Sequence, residues 1–139
     1  MLDVYSPNDL TLEEHIERIQ KSFETLRQSL FTTVISIKEC REQLGDEIFQ
    51  KDVSELLGMS PSYLNKWISI GNSDFIMSNQ DQLPHTFSSL YSITQLEKKY
   101  RVHYGPTEGI QKLEGHVDRG EVSLKSQQSD ISNLIQNIE

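Results

Sequence analysis

The chain has 139 residues and a net charge of −8, from 13 basic and 21 acidic side chains. Hydrophobic residues make up only 35%, and turn formers are few, with 7 Gly and 4 Pro. That balance, rich in Glu, Gln, Lys, Leu and Ile, predicts an all-α protein of one domain, or one small domain with an oligomerisation arm. The lone Cys40 excludes an internal disulfide framework, and the histidines at 15, 85, 103 and 116 are too scattered to complete a metal site. No apolar run approaches the ~20 residues of a membrane span. With no signal-peptide pattern at the start, the expected location is the cytoplasm.

The first predicted element runs from Thr11 to about Leu44 without Gly or Pro. Leu12, Ile16, Ile19, Phe23, Leu26, Leu30, Val34 and Ile37 recur at steps of three and four, between a coiled coil and a straight amphipathic helix. Thr11 with Glu14 forms a capping box, Glu13, Glu14 and Glu17 suit the helix N-terminus, and Gly45 ends the run. A helix of this length spans roughly 50 Å and outreaches the small domain that follows. These eight residues are therefore read as a dimerisation seam. The competing reading breaks the helix near Thr32-Thr33 and folds it back as a hairpin.

The next segment, Gln50 to Ser69, has the pattern of a helix-turn-helix. Val53 is a core position of its first helix, and Ser54 is the small residue the second helix crosses. Leu57 closes the first helix, and Gly58 takes the positive φ of the turn. Met59 is expected to plug the corner. Ser60-Pro61 is an N-cap followed by proline at the first helical position. Leu64 and Trp67 are expected to bury together against the first helix, with Ile48 and Phe49 anchoring the unit to the long helix. Ser60, Ser62, Tyr63, Asn65, Lys66 and Ser69 then face outward, where such a helix meets base edges and phosphates.

Gly71-Asn72 stops this helix, and a short helix at Asp74–Ser78 buries Phe75 and Ile76. A polar turn at Gln80-Asp81-Gln82 and the extended Leu83-Pro84 follow. The next helix presents Phe87, Leu90, Ile93 and Leu96 on one face before Gly105-Pro106 breaks it. Residues 73–104 are neutral overall and carry the chain's only basic cluster, Lys98, Lys99, Arg101 and His103. Beyond it, Thr107 is expected to cap a helix bearing Ile110, Leu113 and Val117, which Gly120 ends. Ser126 is expected to cap a last helix bearing Ile131, Leu134, Ile135 and Ile138. The implied division is a dimerisation helix (1–45), a helix-turn-helix domain (46–104) and a C-terminal helical pair (105–139).

Three pieces carry a resemblance: FQKDVSELLGMSPSYLNKWISIG at 49–71, LPHTFSSLYSITQLEK at 83–98 and HVDRGEVSLKSQQSDISNLI at 116–135. In this order they are similar to the central domain of ParB/KorB-type partition and regulatory proteins of plasmids and phages. The resemblance implies a dimeric, sequence-specific binder of double-stranded DNA on a mobile element. Its paired-arginine nucleotide-hydrolysing domain is not visible, and Lys66 is the one basic residue of the second helix. That favours a compact regulator or accessory protein over centromere partition.

No enzyme signature is present, no cofactor or metal is expected, and Cys40 reads as packing although Lys38 and Arg41 flank it. DNA binding assigns Ser60, Ser62, Tyr63, Asn65, Lys66 and Ser69 to the groove and Lys98, Lys99 and Arg101 to the backbone. The rival class is an acidic helical module that engages a protein partner and keeps the motif as scaffold.

Overall fold

The structure, a computed structural model, describes residues 10–138, and every regular element among them is helical. α1 (Leu12–Leu44) is one unbroken helix of 33 residues. The Thr11 hydroxyl accepts from the Glu14 N–H, and the Glu14 carboxylate accepts from the Thr11 N–H. Two of the orphan donors of the first turn thus find partners. At the suspected weak point the Thr33 hydroxyl donates to the Ser29 carbonyl at 2.8 Å. The branched side chains are absorbed within the helix, and the hairpin does not form. Gly45, at φ 89°, ends α1 where expected.

A second helical stretch is composed of α2 (Asp46–Ile48), a π-helical segment (Phe49–Val53) and α3 (Ser54–Leu57). There follow α4 (Pro61–Gly71), α5 (Asp74–Ser78), a 3₁₀ turn (Gln80–Gln82), α6 (Phe87–Tyr104), α7 (Pro106–Asp118) and α8 (Gln128–Gln136). Two caps differ from expectation. Gly105, not Thr107, precedes α7, with Pro106 at its first position. Gln127, not Ser126, caps α8 through a reciprocal pair with Asp130, while the Ser126 hydroxyl accepts from the Ser123 N–H within the preceding loop. Among the described residues no helix is long and apolar enough to cross a membrane.

α6 is the spine of the main core. Its Leu90, Ile93, Leu96 and Tyr100 meet Phe31 and Val34 of α1, Ile70 of α4, Phe75 and Ile76 of α5, Leu113 of α7 and Ile131 of α8. Each such aliphatic side chain contributes about 1.5–3 kcal/mol on leaving water. The core therefore crosses both sequence-drawn boundaries, at 45/46 and at 104/105. A smaller cluster of Phe49, Leu64 and Ile68, flanked by Ile37, Cys40 and Val53, docks the α3–α4 unit on the C-terminal half of α1. Gly71 allows that docking. A Cβ there would lie 3.0 Å from Val34 Cγ1 and 3.2 Å from Lys38 Cδ. The expected helix stop is thus also the point where α4 crosses α1, and Lys38 Nζ donates to the Gly71 carbonyl across it.

Candidate nucleic-acid interface

The turn between α3 and α4 follows the sequence closely. Gly58 sits at φ 69°, ψ 29°, the left-handed region that a residue with a Cβ enters at a cost. The Met59 N–H donates to the Ser54 carbonyl, and the Ser54 hydroxyl returns a hydrogen bond to the Met59 carbonyl. Ser54, buried, is thus both the small crossing residue and a clasp on the turn. The Ser60 hydroxyl accepts from the Tyr63 N–H at 3.1 Å and starts α4 with Pro61 at its first position.

Three apolar placements differ from the sequence reading. Met59 is 43% exposed and does not fill the corner, and of the expected anchors Ile48 is exposed and only Phe49 is buried. Trp67 does not bury against the first helix. Leu64 and Ile68 take that place, at helical spacing of four. Trp67 instead points a turn away, half-buried, and stacks on Phe87 of α6 at 4.8 Å between ring centroids. Tyr63 joins this cluster at 5.2 Å from Phe87, and Lys66 Nζ lies 5.2 Å above the Tyr91 ring. One flank of α4 is therefore fastened to α6 by aromatic packing.

The solvent-facing side of α4 carries polar groups. Ser60, Ser62, Asn65 and Ser69 are exposed, Tyr63 is on the margin and Lys66 is half-buried. The Ser69 hydroxyl donates to the Asn65 carbonyl, which leaves its oxygen as an acceptor toward solvent. Between Ser69 of α4, Asn72 just beyond it, and Tyr91, Gln95, Lys98, Lys99 and Arg101 of α6 lies an open groove of about 680 Å³. Of the predicted α4 set only Ser69 lines it, beside Lys98, Lys99 and Arg101 of the predicted basic set.

The basic cluster divides by its partners. Lys98 is exposed along the groove. Arg101 donates to Glu97, a buried carboxylate that also accepts from the Ser73 hydroxyl at 2.7 Å. Its charge is thus partly answered inside the protein. Lys99 Nζ donates to the Ile135 carbonyl near the end of α8, so it joins α6 to α8. Lys38 and Arg41, the neighbours of Cys40, are turned to Gly71 and Asp46.

The proposed dimerisation residues also divide. Leu12, Ile16, Ile19, Phe23 and Leu26 are exposed, whereas Val34 is fully buried and Leu30 and Ile37 pack on the two clusters of the chain itself.

One polar constellation escaped the sequence reading. The Tyr100 hydroxyl donates to His116 Nε2 at 2.5 Å, and His116 Nδ1 donates to Glu121 Oε1 at 2.7 Å. The tautomer follows from the carboxylate, which can only accept. Burial pushes the Tyr100 phenol up, helped by Tyr104 and Glu121. Hydrogen bonds from His116 and Arg119 hold the Glu121 carboxyl below its usual range. A phenol so disfavoured as an anion is a structural donor here, tying α6 to the end of α7. The i to i+5 pairing across Gly120, φ 76°, was the missed signal.

No known protein family matches the chain, and no curated protein or solved structure is significantly similar to it.

Proposed function

We propose that this chain is a sequence-specific DNA-binding protein of a plasmid or phage, acting as a homodimeric transcriptional regulator or DNA-organising accessory protein without catalytic activity. α4 enters the major groove with Ser62, Asn65, Lys66 and Ser69 toward base edges, and Lys98 of α6 meets the phosphate backbone. The observation that carries this reading is the joining of two polar surfaces. At Ser69 the exposed face of α4 reaches the groove along α6, so the helix and the basic margin at Lys98 address the same ligand. Fastening of α4 to α6 through Trp67 and Phe87 supports it, because a reading helix needs a rigid base.

A second reading has its own support in the net charge of −8. In it, the acidic body engages a protein partner and α4 is scaffold. Selection of bound sequences from random duplex DNA at near-physiological salt separates the two. Enrichment of one motif, lost on Asn65→Ala, supports DNA recognition. Absence of any enriched motif from a verified dimer favours the protein-partner reading.

A further inference from the structure

The apolar stripe of α1 has two halves with different surroundings on one helix face. At 100° per residue, Leu12, Ile16, Ile19, Phe23, Leu26, Leu30, Val34 and Ile37 all lie within about 40° of a single line along the helix. From Leu30 onward that line is covered by the chain's own core. From Leu12 to Leu26 it is open, with Leu12 72%, Phe23 60% and Leu26 59% exposed. The open half has the 4-3-4-3 spacing of a coiled-coil seam.

We propose that Leu12–Leu26 pairs with the same segment of a second copy, and that the two helices run antiparallel. The covered half of the stripe dictates the direction. A parallel partner, on passing Leu26, would continue along the same face onto Leu30, Val34 and Ile37. That space is taken: the α4 backbone passes so close that a Cβ on Gly71 would touch Val34. A second helix needs 8–10 Å between axes. An antiparallel partner instead continues past Leu12, away from the body.

The register follows from pairing every open seam residue. Ile19 faces the partner's Phe23, Ile16 faces the partner's Leu26, and Leu12 covers the partly open edge of the partner's Leu30. This register sets Glu13 opposite the partner's Arg27 at both ends, with Gln20 beside the partner's Gln20 at the centre. Arg27 is already held by Glu24 and by Gln80 Oε1 at 3.4 Å, which presents its guanidinium beside the seam. A parallel pairing would leave Glu13 about 14 residues, or roughly 21 Å, from the level of the partner's Arg27. Charge and space therefore agree on one arrangement. A lone exposed helix of this length is marginal in water, and pairing removes that weakness.

This inference rests on the homodimer part of the proposed function and is independent of DNA, so its test contains none. In the full chain with Cys40→Ala, cysteines are introduced as Ile16→Cys, Leu26→Cys and both together, then oxidised. In the antiparallel dimer, position 16 faces the partner's position 26, while the two copies of position 16 stand about 15 Å apart along the axis. The double variant should form a covalent dimer and each single variant should not. Cross-linking of either single variant would overturn the direction, and a wild-type monomer at tens of micromolar in sedimentation equilibrium would overturn the pairing. A charge exchange outside the seam gives a second check. Glu13→Arg should weaken the dimer about tenfold, a change consistent with turning two exposed attractive pairs repulsive, and adding Arg27→Glu should restore it. Failure of the second change to restore it would exclude this register.

Discussion

Trp67 shows how a single side chain can be right in kind and wrong in partner. Its spacing from Leu64 made burial against the first helix plausible, yet Ile68 fills that site and Trp67 reaches α6. Because it is half-buried, Trp67→Ala should destabilise by about 2 kcal/mol, below the 3–5 of a fully enclosed aromatic. A double-mutant cycle by thermal unfolding should find about 0.5–1.5 kcal/mol of coupling with Phe87→Leu and none with Phe49→Leu. Coupling to Phe49 instead would return Trp67 to the first helix. The basic residues are separable in the same way. Asn65→Ala should cost about 1–3 kcal/mol on the preferred DNA site and relax its specificity, whereas Lys98→Ala should weaken all sequences alike and lower the salt slope by about one. Lys99→Ala should weaken DNA binding less than Lys98→Ala, because its ammonium lines the same groove but is held by the Ile135 carbonyl. A Lys99 variant as impaired as Lys98→Ala would show that the α6–α8 bond opens on DNA.

At the scale of elements, local signals were legible and destinations of faces were not. Thr11 with Glu14, Ser60 with Pro61, and the positive φ of Gly45 and Gly58 act within one turn, so the sequence carries them whole. The stripe of α1 was equally visible, but nothing in its periodicity marks Leu30 as the point where solvent gives way to core. That depends on Gly71, far along the chain, letting α4 approach Val34. Lys98 and Lys99 are adjacent in sequence and line the same groove, yet Lys99 also donates to the Ile135 carbonyl of α8. The Tyr100–His116–Glu121 chain was hidden for a similar reason: it joins two helices and a turn at separations no helical or strand period flags. It has a pH signature. Glu121 titrates below its ordinary value of 4.5 because His116 and Arg119 donate to it. A carboxylate lowered by folding adds stability above its unfolded value, and that stability is lost as pH falls through the lower folded value. The melting temperature of wild type should therefore exceed that of Glu121→Gln at pH 7, with the gap closing below about pH 4.5. A gap that is constant with pH would assign the effect to packing. Glu14, Glu24 and Asp46, also lowered by their partners, remain in both proteins and cancel in the comparison.

For the whole molecule, the proposed antiparallel pairing would set the spacing of the two α4 helices on DNA. α4 crosses α1 at Val34. In the antiparallel register, Val34 and the partner's Val34 lie about 39 Å apart along the paired helices, at 1.5 Å per residue. That is close to the 34–36 Å separating successive major grooves on one side of the duplex. A parallel pair would instead bring both bodies to the same end of the seam. The expected target is therefore two half-sites with centres about one helical turn apart. Because α1 is continuous from the seam into the body, the span is stiff. Inserting 5 bp between half-sites turns the second away by half a turn, and affinity should drop to that of a single half-site. Inserting 10 bp restores the facing but lengthens the span by a full turn, and should not recover binding. Gel-shift titrations on this insertion series measure both effects. Equal affinity across the series would mean that each α4 docks alone, and would separate DNA recognition from the proposed α1 dimer.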